Sequence, residues 1–233
     1  MLISHQKKFI YFKTKKTAGT SIEIYFERYC RPIVESSSQI LPQMTHKTDT
    51  LQEFPEGIIG IRGENPDVRS LWNEHMPARD LKENVSDEIW NTYFKFTAVR
   101  NPYEVAVSSF FWFNLYYNKS ETRKQISTLS LEDLKMRFED FIDEHYDPNS
   151  DIYSIDGKPC VDAFIRYENL HQDTQDICKR IGSIWKPKFF KRYKSNVRNN
   201  DMTIDMFYNE NAKQIIKERS NFEIDNFGYQ FPE

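Results

Sequence analysis

Short apolar runs alternate along the chain with stretches in which apolar residues recur every three or four positions. The first run, FIYF at 9–12, lies between lysines, as a buried strand of a parallel sheet does. After it, apolar residues recur at helical spacing: Ile22, Tyr25, Phe26 and Tyr29. Thr20 with Glu23 three positions later fits a capping box. The pattern predicts a strand within 7–14 and a helix that begins near Gly19 or Thr20.

The next hundred residues predict a long connection, short elements and a second switch from strand to helix. Residues 31–56 contain three prolines and a serine-rich patch, which predicts an irregular connection. GIIGIRG at 57–63 favours a short strand, and 77–92 favours two short helices, the second capped by Ser86. YFKFTAVR predicts a strand that ends near Arg100.

The residues after this strand have the chemistry of a helix start. Asn101 suits the N-cap and Pro102 the first helical position, so we expect a helix over about 102–117. A second, amphipathic helix is predicted over 129–145, with one apolar face: Leu131, Leu134, Phe138, Phe141 and Ile142.

The last third of the chain predicts one more core strand and two helices. The strand is expected at about 161–166, and the helices at about 168–182 and 204–218. Strands that alternate with helices favour an α/β fold with three layers, in which helices flank a mainly parallel central sheet. The length favours one domain over residues 1–233.

The composition excludes several classes of binding partner. The 32 basic and 35 acidic residues give a net charge of −3, so any anion site is local, and neither nucleic acid nor an acidic membrane is expected. The cysteines (30, 160 and 178) and the five scattered histidines form neither a disulfide framework nor a zinc motif. With no apolar run near 18 residues and no signal-like start, we expect a cytoplasmic protein that binds no membrane.

The segment KTAGTS at 16–21 has the composition of a phosphate-binding loop. A loop that opens a helix presents unpaired N–H groups and the positive end of the helix dipole. Gly19 allows close approach, hydroxyls and a lysine add donors, and the segment lacks the Walker A pattern of ordinary ATPases. The alternative is that Thr20 only caps the helix, while three lysines keep the strand end soluble: Lys13, Lys15 and Lys16.

KTAGTS also resembles the 5′-phosphosulfate loop of sulfotransferases that use 3′-phosphoadenosine 5′-phosphosulfate (PAPS). AVRNPYEVAVSSFF at 98–111 is similar to the 3′-phosphate element of that family, a strand-end arginine followed eight residues later by a helical serine. The resemblance implies a P-loop NTPase-like sulfotransferase fold and PAPS as the donor. It implies these donor-binding residues: Lys16, Thr17, Ala18, Gly19, Thr20, Ser21, Arg100 and Ser108.

Two departures from the family pattern stand out. The proline that often precedes the loop lysine is replaced by Lys15, and Lys16 matches the loop lysine by position. The Gly-rich C-terminal lid motif is absent, and FKRYKSNVRNN at 190–200 stands in its place. We expect four residues of this segment to close over the nucleotide, with their individual roles open: Arg192, Lys194, Ser195 and Arg198. Arg192 and Ser195 are the expected donor contacts among them.

Sulfuryl transfer needs a group that takes the proton of the acceptor hydroxyl and a positive charge at the leaving oxygen. Lys16 suits the second role. His75 in WNEHMPARDL is the predicted base, since a neutral imidazole accepts a proton near pH 7, and heparan sulfate 2-O-sulfotransferases have a catalytic histidine in a comparable stretch. Glu74 and His46 are the alternatives, and a lone histidine is otherwise a cap or a surface residue.

The sequence therefore favours a PAPS-dependent sulfotransferase that acts on a hydroxyl, with a saccharide or glycan as the preferred acceptor and no metal. A nucleotide kinase of related fold is a rival, although it would need a Walker A loop and a carboxylate for magnesium. A glycan- or nucleic-acid-binding module that uses the basic, aromatic segment 186–198 is a non-enzymatic rival.

Overall fold

A computed structural model describes residues 1–32, 51–62, 72–117, 126, 128–193 and 202–232. These residues form two compact units that interleave along the chain. The first unit consists of Met1–Thr14, Ala18–Val99 and Asp151–Tyr193, and the second of Lys15–Thr17, Arg100–Ser150 and Lys194–Glu233. One domain over 1–233 stays a prediction.

The first unit is built on a mixed six-stranded sheet. Its strands are β1 (Leu2–Ser4), β2 (Phe9–Phe12), β3 (Gln52–Phe54), β4 (Gly57–Ile59), β5 (Phe94–Val99) and β8 (Ala163–Arg166), in the order β3-β4-β1-β2-β5-β8. The pairs β2/β5 and β5/β8 are parallel, whereas β1 pairs antiparallel with both β2 and β4, and β3 pairs antiparallel with β4. A separate hairpin joins β6 (Ser154–Ile155) to β7 (Lys158–Pro159).

The helices divide between the two units, except that α6 (Ser150–Tyr153) begins in the second unit and continues in the first. The first unit holds α1 (Gly19–Glu27), α2 (Ala78–Asn84), α3 (Asp87–Thr92) and α7 (Leu170–Arg180), with 3-10 turns at Tyr167–Asn169 and Pro187–Phe189. The second holds α4 (Pro102–Tyr117), α5 (Leu131–His145), α8 (Glu210–Arg219) and α9 (Asn221–Phe227), with a 3-10 turn at Ile204–Met206. Within the described ranges, no helix has the length and apolar content needed to cross a bilayer.

Aromatic side chains from β2, β5 and α1 fill the core of the first unit. Phe96 of β5 packs against Phe26 of α1, with ring centroids 5.0 Å apart, and Ile177 of α7 belongs to the same buried cluster. On the opposite face, Phe12 of β2 contacts Trp90 of α3. The sheet therefore carries helices on both faces. Each fully buried side chain of this size contributes about 1.5–3 kcal/mol to the stability of this packing through the hydrophobic effect.

The second unit is helical and has its own aromatic core. Phe110 of α4 packs edge to face against Phe138 of α5, with ring centroids 5.4 Å apart, and Ile216 of α8 lies in the same cluster. Leu131 is 54% exposed, so its predicted place on the buried face of α5 is wrong. It occupies the first turn, directly after Ser130, whose side chain caps the helix.

Most predicted elements are confirmed. The Ser86 hydroxyl accepts a hydrogen bond from the Ile89 N–H and caps α3. α4 begins at Pro102 as predicted, and the side-chain oxygen of Asn101 accepts from the Tyr103 N–H at 3.1 Å. The α/β class and the flanking helices are also as expected, because local signals at helix starts coincided with the long-range packing.

Three predictions need correction. The capping box of Thr20 and Glu23 is wrong, because Ala18 is the N-cap residue without a side-chain cap bond and Glu23 is buried. The segment 31–56 contains β3, and β1 was not predicted at all. The parallel part of the sheet is limited to β2, β5 and β8, because β1 and β4 enter through antiparallel pairing that a periodicity argument does not detect.

Candidate functional site

The loop that leaves β2 has an irregular backbone. Lys16 and Ala18 have left-handed conformations, with φ of 61° and 63°, which cost non-glycine residues about 1–2 kcal/mol each. The Ala18 carbonyl accepts from the N–H groups of Ser21 and Ile22 at 2.9 and 3.1 Å. Backbone turns of this kind direct successive N–H groups to one side and form concave anion sites.

Gly19 is required where α1 starts against the end of β2. A Cβ at this position would lie 2.9 Å from the Lys13 Cγ and 2.9 Å from the Thr14 carbonyl oxygen, which is closer than side chains tolerate. The hydroxyl of Thr14 in turn donates to the Ala98 carbonyl at 2.5 Å. The first turn of α1 is therefore held directly against the strand ends. The N–H groups of Gly19 and Thr20 come before the first helical hydrogen bonds, which Ser21 and Ile22 make to Ala18.

The predicted hydroxyl donors of the loop are buried. Thr17, Thr20 and Ser21 expose 8% of their surface or less. The Ser21 hydroxyl accepts a hydrogen bond from the Tyr193 N–H at 3.0 Å, so the segment that follows Phe190 reaches this helix start. Arg192 is described and exposed. The other residues of this segment that are expected to close over the nucleotide lie outside the described residues: Lys194, Ser195 and Arg198.

Lys13 does not keep a strand end soluble, contrary to the alternative interpretation of the lysine cluster. Its side chain is only 3% exposed, and its ammonium lies 3.0 Å from a Glu23 carboxylate oxygen and also contacts the Glu74 carboxylate. Burial alone would raise the pKa of Glu23, but the charges of Lys13 and Arg62 bring that pKa below its ordinary value. Lys13 thus belongs to a buried ion network.

His75 is oriented by the backbone at the end of β2. Its Nδ1 lies 2.8 Å from the Lys13 carbonyl oxygen, and because a carbonyl only accepts, Nδ1 carries the proton and Nε2 the lone pair. Nε2 lies 3.9 Å from a Glu74 carboxylate oxygen. Burial lowers the pKa of His75 to about 4, with Glu74 opposing the shift and Lys13 adding to it. The imidazole is therefore neutral at pH 7.

In the second unit, Arg100 contacts the loop lysine. One guanidinium nitrogen donates to the Lys16 carbonyl at 3.2 Å, and another donates to the Glu104 carboxylate at 2.8 Å. The Lys16 ammonium lies 4.4 Å from the ring centroid of Trp112. Glu104, Ser108 and Trp112 are spaced four residues apart, which places them along one face of α4. Half-buried Ser108 thus lies between the residues that contact Arg100 and Lys16.

The structure brings together some of the predicted residues. Lys16 lies against Arg100 in the second unit, and His75 lies against the backbone of Lys13 in the first. The alternative base His46 falls outside the described residues. Among the described side chains, no three of His, Cys, Asp or Glu are grouped to hold a metal ion, and a reaction without metal stays a prediction.

Two side chains that contact these residues were not singled out from the sequence, and Glu23 was singled out only as part of a helix cap. Trp112 left a weak signal, because it follows Ser108 by four residues and so lies on the same face of α4. Asn149 left none, because it lies in a connection between helices and contacts a residue 134 positions away.

A family model described as "Sulfotransferase family" matches residues 1–226, nearly the whole chain. A search of curated proteins and a search of solved structures returned no significant match. The family match extends far beyond 16–21 and 98–111, so the family assignment does not depend on those two motifs alone.

Proposed function

Because the chain belongs to the sulfotransferase family, an enzyme family that transfers sulfuryl groups, we propose that PAPS is its donor and that its acceptor is a hydroxyl of a saccharide or glycan. The observation that carries the proposal is the hydrogen bond from Arg100 to the Lys16 carbonyl at 3.2 Å. It joins the loop proposed to hold the 5′-phosphosulfate to the arginine proposed to hold the 3′-phosphate, so one nucleotide with anionic groups at both ends can engage both.

The residues present fit such a donor. The N–H groups at the start of α1 and the buried hydroxyls suit phosphate and sulfonate oxygens. A Cβ at Gly19 would clash with the residues that follow β2, so the helix start can lie this close to the strand end only with glycine at this position. We assign the 5′ end to residues 16–21 and the 3′-phosphate to Arg100 and Ser108, with Arg192 and Ser195 as further contacts. When bound, PAPS supplies the sulfuryl group and a phosphate leaving group.

His75 is the proposed base. Its Nδ1–H is held by the Lys13 carbonyl, so Nε2 is the atom that accepts the proton of the acceptor hydroxyl as the new O–S bond forms. The resulting imidazolium is stabilised by the Glu74 carboxylate, which lies 3.9 Å from Nε2. General base catalysis of this kind contributes about 10²–10⁴-fold to the rate.

Lys16 is the proposed cation at the leaving oxygen. A mobile ammonium can follow the negative charge that builds there as the S–O bond to the phosphate breaks. Lys13 is poorly suited to this role, because its ammonium is buried between the carboxylates of Glu23 and Glu74. Lys15 pairs with the exposed Asp147 at 3.2 Å, a contact that contributes little.

A thermal-shift comparison tests the donor. We expect 3′-phosphoadenosine 5′-phosphate (PAP) to raise the Tm, with a stabilisation of about 2.7 kcal/mol at a hundredfold excess over Kd. A nucleotide kinase would instead respond to ATP with magnesium, and a glycan-binding module would respond to neither. A Tm unchanged by PAP at millimolar concentration would contradict the donor.

The acceptor needs a separate experiment. Sulfur-35-labelled PAPS is incubated with the protein and a panel of glycans, simple saccharides, phenols and steroid alcohols. Label transfer to saccharide hydroxyls is the expected result. Transfer only to phenols or steroid alcohols would overturn the proposed acceptor class while leaving the sulfuryl transfer intact.

A further inference from the structure

Asn149 lies in the connection between α5 and α6, and the residue is 7% exposed. Its amide makes two reciprocal hydrogen bonds to one loop residue. The side-chain oxygen accepts from the Lys15 N–H at 2.7 Å, and the side-chain nitrogen donates to the Lys15 carbonyl at 2.9 Å. Both residues belong to the second unit.

These bonds hold the two peptide groups that flank the Lys15 Cα, and the bond to the Lys15 carbonyl fixes the peptide group that joins Lys15 to Lys16. A trans peptide is planar, and its C=O and N–H point in opposite directions. Since the amide nitrogen of Asn149 holds the Lys15 carbonyl, it also sets the direction of the Lys16 N–H. Arg100 then holds the Lys16 carbonyl at 3.2 Å, so the peptide groups on both sides of the Lys16 Cα are anchored by side chains.

Lys16 needs this support because its backbone is unfavourable by itself. Its φ is 61°, a conformation that non-glycine residues hold only where the surroundings impose it. Lys15 offers its N–H because it is not proline. A primary amide is the side chain that can donate and accept at the same time in one plane, which a carboxylate or an alkyl group cannot do.

We propose that Asn149 is a positioning residue for the phosphosulfate loop: it clamps the backbone of Lys15 and thereby orients the N–H and the side chain of Lys16 toward the bound anion. The ligand named here rests on the proposed function. The clamp itself concerns only the contact between Asn149 and Lys15, so it can be tested with and without nucleotide.

The test compares Asn149→Ala with Asn209→Ala in the full chain. Asn209 is a matched control in the same unit, since its side-chain amide also both accepts and donates a hydrogen bond. It accepts from the Ala212 N–H at 2.7 Å and donates to the Glu139 carboxylate. We expect Asn149→Ala to bind PAP about tenfold more weakly by calorimetry, from the loss of two hydrogen bonds, and Asn209→Ala to bind like the parent. If the two variants bind PAP equally well, the positioning role is overturned.

A second readout separates this inference from the donor assignment. Hydrogen–deuterium exchange of a peptide covering 13–19 is measured without nucleotide, and we expect faster exchange in Asn149→Ala but not in Asn209→Ala. Unchanged exchange in Asn149→Ala overturns the clamp. If the parent binds no PAP but exchange accelerates as expected, the donor proposal fails and the clamp stands.

Asn149→Asp provides a variant of the same size if the alanine variant does not fold. The carboxylate keeps an acceptor for the Lys15 N–H but faces the Lys15 carbonyl with an oxygen, so the donated bond is lost. We expect PAP affinity to fall at least as far as in Asn149→Ala. Parent-like affinity in Asn149→Asp would show that the donated bond does not orient the loop.

Discussion

Lys13 and Lys16 are three residues apart, yet their environments are opposite. In the first unit, the Lys13 ammonium is buried and held by two carboxylates. In the second unit, the Lys16 ammonium lies over the face of Trp112, 4.4 Å from the ring centroid. Within the few residues that follow β2, one lysine thus lies inside an ion network and another lies beside an aromatic ring.

The difference separates a charge that stabilises the fold from a charge that suits the proposed role at the leaving oxygen. Removing one partner of a buried ion pair costs about 3–5 kcal/mol, whereas a cation–π contact near the surface contributes about 0.5–1 kcal/mol. An anion can therefore draw an ammonium away from a ring far more easily than from buried carboxylates. The ion network around Lys13 holds in place the backbone carbonyl that orients His75. Lys16, in contrast, is suited to follow the charge that the proposed reaction develops.

The largest expected effect concerns His75, the proposed base in the first unit. We expect His75→Ala to lower kcat by about 10²–10⁴-fold, because no group then accepts the hydroxyl proton. PAP affinity, measured by calorimetry, should stay near that of the parent. Turnover comparable to the parent would defeat this assignment, and a larger loss in Glu74→Gln than in His75→Ala would move the role to Glu74.

The stability of two matched variants tests the contrast between the lysines directly. Lys13→Met should lower the free energy of unfolding by about 3 kcal/mol, since it leaves buried Glu23 with less compensating charge. Lys16→Met should change it by less than about 1 kcal/mol, while transfer falls strongly. Urea denaturation measures both, and equal destabilisation would remove the distinction between the two environments.

Arg100→Ala tests the proposed anion contacts near Lys16 in the second unit. Loss of its charged hydrogen bonds to a phosphate should weaken PAP binding by about tenfold to a hundredfold. Arg79→Ala is the control, since Arg79 forms an exposed ion pair with Asp156. Calorimetry that gives the same Kd for Arg100→Ala and the parent would take this arginine out of the nucleotide contacts.

The smallest expected effect is the pH dependence of stability that His75 confers. Its pKa is lowered to about 4 in the folded protein, whereas an unfolded histidine has a pKa of about 6.5. The unfolded chain thus binds the proton more readily, and stability falls as pH drops from about 6.5 toward 4. At pH 5 the decrease should be about 1 kcal/mol after allowance for partial exposure.

The urea midpoints of the parent and of His75→Gln at pH 7 and pH 5 measure this effect. The parent should lose more stability than the variant across that interval, because glutamine does not titrate. The same loss in both proteins would mean that His75 does not hold a lowered pKa in the folded chain.

Where the local sequence signal agreed with the packing, prediction succeeded. Ser86 and Pro102 mark helix starts because capping chemistry is set within a few residues. β1 and β3 were missed because each has only three residues and is stabilised by neighbours elsewhere in the chain. Thr20 and Glu23 matched a capping box by spacing, but burial of Glu23 against Lys13 decided its contacts instead.

The amino-acid sequence alone indicated the two switches from strand to helix at β2/α1 and β5/α4, the loop at 16–21 and the candidate arginine and histidine, because these depend on periodicity, capping and motif spacing. Tertiary structure alone decided that Lys13 is buried, that Nδ1 of His75 faces a carbonyl, and that Asn149 holds Lys15. These contacts join residues 10 to 134 positions apart. Their energies depend on burial and geometry, which exist only once the chain has packed.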